Sequence, residues 1–325
     1  MATYFVTGGS GFIGGRLIRR LVADGHAVNA LARSDPSANA VEAAGAVPAR
    51  GDITDADSMR TGAAGCDIAV HAAAALGEWG DPEYFEEVNV RGTQRALAAT
   101  RDAGVTRFVH VGTEAALMAG QPLVNADETL PLRPDSPVLY CATKAKAEQA
   151  VRDANAEGFA TVVVRPRLVW GPGDTTILPS IRSEVEKGRF AWIGGGGHRT
   201  STSHVDNVVE GLLLAAERGR PGGVYFVLDD GPVVFRDFIT RLLATQGLEA
   251  PTRTLPTWLA RTVAAVGEGL FKRLHRENPP PLTRIALWLS SLETTLDDSR
   301  AREELGYRPV KSIDDGLAEL SAAPS

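Results

Sequence analysis

The sequence is poor in cysteine, in positive charge and in long apolar runs, and each shortage narrows what the protein can be. Only 2 of its 325 residues are cysteine, so we expect no disulfide framework and a reducing, cytoplasmic location. The formal net charge of -6 lacks the basic excess of a nucleic-acid-binding protein. No apolar run approaches the roughly 20 residues that span a membrane, so no integral membrane segment is expected. What remains is an ordinary globular composition.

A glycine-rich turn near the N-terminus is the strongest local signal in the chain. The apolar run Tyr4–Val6 predicts a strand, and a helical pattern begins at residue 15. Between them, glycines recur at three-residue spacing, which allows a tight turn, close approach of a pyrophosphate and close packing of helix on strand. The free N–H groups at the start of a helix also favour phosphate binding. We therefore predict that a dinucleotide binds to Gly8, Gly9, Ser10, Gly11, Phe12, Ile13 and Gly14.

Strand and helix patterns alternate through the first half of the chain, which predicts an α/β fold. Strand-like runs at 66–71, 107–111 and 160–164 are separated by helical segments, as in βαβ units that build a Rossmann-type, doubly wound parallel sheet. Beyond Pro166 the alternation is lost. We expect a nucleotide-binding domain over residues 1–166, to which 200–228 returns. A smaller, interleaved substrate-binding region would cover 167–199 and 229–325.

Tyr140 and Lys144 stand four residues apart in a segment with a helical pattern. Positions i and i+4 lie on one face of a helix, so the phenol and the ammonium project together. A neighbouring cation lowers the pKa of a phenol, which lets a tyrosine exchange a proton with a substrate oxygen near neutral pH. The same spacing is common on exposed helices without any catalytic role, so the pair gains weight only in combination with other motifs.

The combination is present. In chain order the sequence carries the glycine turn, His71–Ala74, Asn89–Thr93, Tyr140-x-x-x-Lys144, Arg165-Pro166, Val169–Gly173, His204–Asn207 and the C-terminal Leu305–Pro309. Together these motifs resemble the extended short-chain dehydrogenase/reductase family, over essentially the whole chain. They are specific to that superfamily and not to one substrate.

The resemblance implies a catalytic role for several motif residues. Tyr140 would be the general acid/base, while Lys144 would bind the nicotinamide ribose and lower the pKa of the phenol. The partner hydroxyl of the family follows the strand that ends at Val111, where Thr113 is the candidate to hydrogen-bond the reacting oxygen. The next residue, Glu114, is either a substrate-side group or a solvated acid at a helix start.

The end of the second strand indicates which cofactor is bound. NAD-binding chains of this type carry Asp or Glu there, whereas this sequence has Ala32, Arg33 and Ser34. An arginine can pair with the 2′-phosphate of NADP, so NADP(H) is predicted over the alternative, NAD(H). An ordinary surface arginine is the competing interpretation of Arg33. By resemblance, further cofactor contacts fall on Ser34, Asp52, Ile53, Ala72, Ala73, Ala74, Asn89, Tyr140, Lys144 and Pro166, although Asp52 has a turn-capping role as its alternative.

The substrate is predicted to be bulky and mostly apolar. The Pro-rich stretch 279–284 and the apolar helix after it are similar to the 3β-hydroxysteroid dehydrogenase and dihydroflavonol reductase branch of the family. This implies an oxidoreductase that interconverts a hydroxyl and a carbonyl on a steroid-, flavonoid- or aromatic ketone- or aldehyde-like compound. A sugar-nucleotide epimerase or dehydratase that uses NAD, and a nucleotide sensor without catalysis, stay open as alternatives. The predicted substrate contacts are Glu78, Trp79, Glu114, Leu168, Trp170 and Trp192; for the tryptophans, packing in a second core is the alternative.

Several other polar residues are interpreted as structural. His71 is expected to end a strand beside the cofactor without a catalytic role. Arg165 is expected in a buried ion pair, and Cys141 as a small packing residue. For His204 and Asp206 no metal site is predicted, because a third ligand is lacking.

A one-sided apolar stripe runs through residues 255–274, at Leu255, Leu259, Val263, Val266, Leu270 and Leu274. It is interpreted as a lid over an apolar pocket or as a core helix, with peripheral contact to a membrane as the alternative. Similar proteins commonly form dimers, and the resemblance implies a homodimer through the helices at 84–103 and 138–157.

Overall fold

The computed structural model describes residues 1–77, 79–274 and 278–322. Within these ranges the strands are β1 (Thr3–Thr7), β2 (Ala27–Ala32), β3 (Val47–Arg50), β4 (Ile68–His71), β5 (Arg107–Val111), β6 (Leu123–Ala126), β7 (Ala160–Arg165), β8 (Val169–Trp170), β9 (Trp192–Ile193), β10 (Arg199–Thr200), β11 (Ser203–His204), β12 (Val224–Phe226), β13 (Val233–Val234), β14 (Thr254–Leu255) and β15 (Thr294–Leu296).

Seven of the described strands form one sheet in the order β12-β7-β5-β4-β1-β2-β3, and every neighbouring pair is parallel. The chain begins at β1 inside the sheet, moves through β2 and β3 to one edge, and then returns to β4 on the other side of β1. This reversal opens a crevice between the carboxyl ends of β1 and β4, the position at which such sheets bind dinucleotides. The predicted Rossmann-type α/β fold is confirmed.

Helices cover both faces of the main sheet. The described helices are α1 (Phe12–Ala23), α2 (Asp35–Ala43), α3 (Ala56–Ala63), α4 (Pro82–Phe85), α5 (Gly92–Asp102), α6 (Leu139–Asp153), α7 (Ile177–Glu186), α8 (Val205–Arg218), α9 (Phe235–Ala244), α10 (Thr257–Arg273), α11 (Arg284–Ser291) and α12 (Ile313–Ala322). Buried side chains of α1, α2 and α8 pack on one face, and those of α3, α5 and α6 pack on the other.

The local sequence explains the elements that position the site. The run of valines in β7 suits a strand that is buried on both faces, because β-branched side chains pack well on a pleated surface. Helix α3 starts at Asp55, whose carboxylate accepts hydrogen bonds from the N–H groups of Asp57 and Ser58. Helix α1 follows Gly11, which has no side chain to cap it, so its first N–H groups remain available to a ligand.

Two segments differ from the sequence-based expectation. The stretch 124–137 is rich in proline and aspartate, which predicts a loop, but it begins inside β6, which joins β13, β10 and β15 in a second, four-stranded sheet. The strand was missed because its partner β15 lies about 170 residues further along the chain, so no local pattern marks the pairing. The predicted long helix at 84–103 consists of α4, a π-helical turn over Glu86–Arg91, and α5.

Helix α10 carries most of the predicted apolar stripe, but four of the six stripe residues lie outside the core. Val263, Val266, Leu270 and Leu274 are between 43% and 63% exposed, whereas Ala260 and Ala264 on the other side of the helix are fully buried. The interpretation as a core helix is therefore wrong for this face. None of the described helices combines the length and the apolarity needed to cross a bilayer.

Candidate active site

The glycine turn forms a cradle that only glycine permits. Gly8 has a φ of +72°, and a Cβ there would lie 2.6 Å from the backbone N of Ala73. A Cβ on Gly14 would lie 2.2 Å from the carbonyl oxygen of Gly8. The helix therefore packs directly on the turn, and its uncapped first N–H groups stand beside the crevice. This arrangement fits the pyrophosphate of a dinucleotide.

The residues predicted for the adenosine end lie at the carboxyl ends of β2 and β3. Arg33 is exposed and forms no ion pair among the described residues, and Arg50 stands beside Ala32 in the neighbouring strand. Ser34 caps α2, where its hydroxyl accepts from the Ser37 N–H. Asp52 Oδ1 accepts from both N–H and O–H of Thr54, so the aspartate caps this turn, and its contact with the cofactor stays a prediction. Ile53 is buried against α5, where it fills the space beside Gly92.

The loop after β4 lies against the glycine turn and is clamped to the catalytic helix. Ala72 and Ala73 contact Gly8, and the Asn89 side chain exchanges two hydrogen bonds with the backbone of Ala75, at 2.7 and 3.2 Å. The same side chain donates to Thr143 Oγ1 at 3.1 Å. Asn89 therefore links the loop after β4 to helix α6. A direct contact of Ala74 or Asn89 with the cofactor stays a prediction.

Two buried histidines line the floor beneath Lys144. His71 bonds to Thr7 Oγ1 and Thr93 Oγ1 at 2.8 and 3.0 Å, and burial lowers its pKa to about 3. His110 stacks on His71, and burial lowers its pKa as well. Lys144 Nζ donates to the Val111 carbonyl oxygen at 2.9 Å and lies 3.4 Å from His110 Nε2. Two neutral rings therefore stand beside the lysine, and burial lowers the pKa of Lys144 to about 8.

Tyr140 and Thr113 meet, as predicted, at the carboxyl end of β5. The Thr113 side chain lies near the Tyr140 hydroxyl. Thr113 Oγ1 also donates to Glu114 Oε2 at 2.8 Å and accepts from the Ala115 N–H at 3.2 Å. The structure thus places Tyr140 near Thr113 and joins Thr113 to Glu114 by a hydrogen bond.

Glu114 is neither solvated nor open to the crevice, so both predicted interpretations of this residue need correction. Its side chain is buried and forms an ion pair with Arg167 Nη1. Arg167 is fully buried, and its Nε donates to Thr200 Oγ1 at 3.1 Å. A buried charge requires such pairing, because an isolated one loses its hydration without compensation.

The expected effect of Lys144 on Tyr140 also needs correction. Burial raises the pKa of the Tyr140 phenol, and the negative charge of Glu114 raises it further. Lys144 Nζ is directed to the Val111 carbonyl oxygen, so the i, i+4 spacing brings the lysine to the same side of α6 without pairing it with the phenol. The structure therefore describes a protonated tyrosine.

Two predicted substrate contacts are packing residues. Trp170 is fully buried and its indole N–H donates to Asp229 Oδ2 at 2.8 Å. Trp192 is 1% exposed and packs against Phe190 and Phe235. Neither ring presents a surface that a substrate could touch, so the second-core alternative is correct for both.

The remaining predicted substrate contacts, and two residues interpreted as structural, lie in different parts of the fold. Leu168 is nearly buried and has a left-handed φ of +43°, in the turn that follows the buried Pro166. Trp79 lies half-buried in the loop between β4 and α4. Glu78 lies outside the described residues. Arg165 forms the expected buried pair with Glu148 through two bonds of 2.9 and 2.6 Å, and Cys141 is fully buried as expected.

The histidine near the domain junction has more acidic neighbours than the sequence indicated. Glu319 lies with His204 and Asp206 in a group whose ligand-type atoms are within 4.8 Å of one another, which supplies the third ligand thought to be lacking. Arg16 and Lys311 pair with these carboxylates. The group is therefore charge-balanced by the chain's own cations.

Arg167 is the site residue that sequence reasoning missed. Its signal is the register of two neighbouring strands: Val111 pairs with Val164, and Glu114 and Arg167 each lie three residues beyond their member of that pair. Because the two strands are paired, residues at the same distance beyond the paired positions lie close together, and here they carry opposite charges. The sequence shows both charges, but not that β5 and β7 are neighbours in the sheet.

Comparison with known proteins agrees with this geometry. Residues 5–257 match the 3-beta hydroxysteroid dehydrogenase/isomerase family. The chain is 47% identical to the 4-hydroxy-2-methyl-3-oxo-4-farnesyl-3,4-dihydroquinoline-1-oxide ketoreductase of Stigmatella aurantiaca, over 98% of this chain and 96% of that one. It is 35% identical to the 2-alkyl-3-oxoalkanoate reductase of Stenotrophomonas maltophilia (strain K279a), over 98% of both chains.

A solved structure shows the same fold with a dinucleotide in place. DesIV, a dTDP-glucose 4,6-dehydratase from Streptomyces venezuelae solved with NAD and TYD bound, superposes with a TM-score of 0.76 at 26% identity, over 98% of this chain and 95% of that one. The family match, the two relatives and the Tyr140–Lys144 geometry lead to the same conclusion. The chain belongs to the 3-beta hydroxysteroid dehydrogenase/isomerase family of extended short-chain dehydrogenase/reductases, and is an oxidoreductase that acts on CH–OH groups with NAD(P).

Proposed function

We propose that the protein reduces the ketone of a bulky, mostly apolar small molecule with NADPH, and that Tyr140 supplies the proton. The position of Tyr140 on α6 near Thr113 at the carboxyl end of β5, with Lys144 on the same side of that helix, carries this proposal. When bound, the nicotinamide supplies a hydride, with its two electrons, to the carbonyl carbon. Two relatives with reductase names, one for a farnesylated quinoline and one for alkyl-substituted oxoalkanoates, support the class of reaction.

Different residues of the site would bind the cofactor and transfer the proton. The glycine turn and the start of α1 would hold the pyrophosphate, and Lys144 would hold the nicotinamide ribose. Tyr140 would transfer its phenolic proton to the carbonyl oxygen and then recover a proton from solvent. Thr113 is buried and Tyr140 is partly buried, which limits water at the reacting oxygen and strengthens the polar contacts there.

A cavity whose lining includes Pro137, shortly before the catalytic helix, supports the proposal of an apolar substrate. It has a volume of about 230 Å³ and lies between α10, α11 and the segment that ends at Pro137, three residues before Tyr140. Two cationic residues in the lining, Arg261 and Arg284, could meet a polar or anionic end of the substrate. The rest of the lining is mostly apolar and consists of Gly120, Pro137, Ala264, Ala265, Leu287, Trp288, Ser291 and Leu292. Incubation with steroids, flavonoid-like ketones, aromatic aldehydes and long-chain oxoacids tests this substrate class directly.

Replacement of Arg33 by alanine should change the choice of cofactor. The guanidinium is exposed at the end of β2, where it can pair with the 2′-phosphate of NADPH without breaking another ion pair. We expect the KM for NADPH to rise about tenfold, the equivalent of roughly 1.4 kcal/mol, and the KM for NADH to stay unchanged. Arg241→Ala, an exposed arginine paired with Asp314, is the control. An unchanged preference in the Arg33 variant would remove the proposed NADP specificity.

The domain boundaries and the homodimer are also proposals, based on the sequence and on its resemblance to the family. Residues 1–166 together with 200–228 would bind NADP(H), and 167–199 with 229–325 would mainly bind substrate. A homodimer would form through α5 and α6, which pack side by side in each chain. Sedimentation of the full chain measures the assembly, and a monomer at micromolar concentration would contradict it.

The exposed stripe of α10 is proposed to contact an anionic lipid surface from which apolar substrate is drawn. Arg261 and Arg273 are exposed beside it, whereas Glu268 is buried and paired with Arg284. The described outer face of α10 therefore combines apolar and positive groups, as interfacial helices do.

Flotation with liposomes tests this contact. We expect the protein to float with vesicles that contain phosphatidylserine, and Leu270→Glu to abolish the flotation because it places a charge in the stripe. Val310→Glu alters an exposed valine elsewhere on the chain and should float like the original protein. If all three proteins stay with the soluble fraction, the stripe serves as a lid and not as a lipid contact.

A further inference from the structure

A buried chain of hydrogen bonds crosses the floor of the nucleotide crevice. Its centre is His71, the last residue of β4, whose side chain lies in the interior. The Nδ1 atom of His71 lies 2.8 Å from Thr7 Oγ1, and its Nε2 lies 3.0 Å from Thr93 Oγ1. Thr7 ends β1, pairs with His71 in the sheet and directly precedes Gly8. The ring therefore stands where β1 and β4 separate to open the crevice.

The direction of each bond in this chain follows from its end group. Thr93 Oγ1 donates its single proton to the backbone carbonyl oxygen of Asn89 at 2.7 Å, because a carbonyl can only accept. Thr93 can then only accept from His71, so the ring carries its proton on Nε2. Burial lowers the pKa of His71 to about 3, so the ring is neutral at neutral pH and Nδ1 has no proton. Nδ1 therefore accepts from the Thr7 hydroxyl, whose oxygen accepts in turn from the Ala73 N–H at 3.4 Å.

Both ends of this chain lead to a wall of the crevice. At one end, the backbone of Ala73 lies against Gly8, where a Cβ would come within 2.6 Å of the Ala73 N. At the other end, Asn89 lies in the π-helical turn before α5. Its side chain bonds to the backbone of Ala75 and to the Thr143 hydroxyl on α6. One ring thus connects the glycine turn with the catalytic helix.

We propose that His71 is a positioning residue that, as the neutral ring with its proton on Nε2, holds the glycine turn in the shape that receives the dinucleotide. A turn that is already ordered binds more tightly, because less conformational freedom is lost when the ligand arrives. Removal of any link would leave a buried donor or acceptor unsatisfied beside the turn. The inference rests on the use of NAD(P) by the family, and on the proposed function only for the preference for NADPH.

The test compares Thr93→Val with Thr100→Val, each of which removes a buried hydroxyl from α5. Both hydroxyls donate at 2.7 Å to the carbonyl oxygen four residues earlier, that of Asn89 and that of Ala96. Thr93 additionally accepts from His71. We expect similar losses of thermal stability in the two variants. Calorimetric titration should show NADPH and NADH bound about fivefold more weakly by Thr93→Val, the effect of about one hydrogen bond, and normally by Thr100→Val.

A second pair of variants tests whether the links act together. Thr7→Val interrupts the chain on the other side of the ring. Because both threonines act through His71, Thr7→Val/Thr93→Val should weaken binding by less than the product of the two single effects. His71→Leu removes both polar atoms, whereas His71→Asn keeps an acceptor near the position of Nδ1 and should bind more tightly than His71→Leu. If the His71 variants do not fold, the threonine variants decide the question.

These titrations contain no ketone, so their outcome is independent of the proposed reduction. A wrong cofactor preference would appear as tighter binding of NADH, with the same ratios between the variants. Equal affinities of Thr93→Val and Thr100→Val for both dinucleotides would mean that the hydroxyl of Thr93 serves stability alone. That result, or the full product of effects in the double variant, would overturn the proposal.

Discussion

Tyr140→Phe should abolish turnover and leave binding of NADPH intact. The substitution removes only the phenolic oxygen, which is the one group in the described site that is placed to give a proton to the substrate carbonyl. General acid catalysis by a positioned side chain typically contributes about 10²–10⁴-fold to a rate, so a loss of at least that size is expected in kcat. The ring remains, and with it the packing around α6. NADPH binding, followed by fluorescence, and thermal stability should therefore change little.

A matched substitution distinguishes loss of the proton donor from a general effect. Tyr4→Phe removes a phenolic oxygen from the interior of β1, where the ring packs in the core against His26. It should retain normal kcat. Activity in Tyr140→Phe above about one tenth of the original value would show that another group supplies the proton.

Gly14→Ala should weaken cofactor binding strongly. The new Cβ would lie 2.2 Å from the carbonyl oxygen of Gly8, and both atoms belong to the backbone of the turn, so neither can move aside without opening it. Overpacking of this kind costs about 1–3 kcal/mol. Since every 1.4 kcal/mol is a tenfold change in a binding constant, NADPH should bind about 10–100-fold more weakly.

The control is a helical glycine with free space. A Cβ on Gly269 in α10 would meet no atom within 4 Å, so Gly269→Ala should bind NADPH normally. It should also gain up to about 1 kcal/mol in the free energy of unfolding, because alanine is the better helix former. Calorimetric titration with NADPH compares the two variants directly. Equal affinities would show that the turn does not hold the pyrophosphate.

The main sheet and the nucleotide crevice could be predicted because their signals are local. The glycine spacing, the valines of β7 and the alternation of periods each lie within a few neighbouring residues, and βαβ units predict that the strands of the sheet are parallel. The same holds for Tyr140 and Lys144, whose shared helix face is set by their spacing.

The chemistry around Tyr140 could not be predicted, because it depends on neighbours that the sequence separates. Arg167 reaches Glu114 across 53 positions, and only the register of β5 with β7 shows that they meet. The direction of Lys144 was wrong for the same reason: the Val111 carbonyl oxygen competes for the ammonium, and it lies in another element. The tryptophans were assigned to the pocket because an aromatic residue in a loop-rich region looks alike whether it packs or binds.

Transfer of deuterium from NADPH tests the proposed reaction most directly. The protein is incubated with NADPH that carries deuterium at nicotinamide C4 and with a panel of bulky apolar ketones, and the products are analysed by mass spectrometry. We expect at least one ketone to yield an alcohol with deuterium on its carbinol carbon, and Tyr140→Phe to yield none. Absence of labelled alcohol from every ketone, together with NAD that remains bound through purification, would contradict the proposed reduction and favour a sugar-nucleotide epimerase or dehydratase.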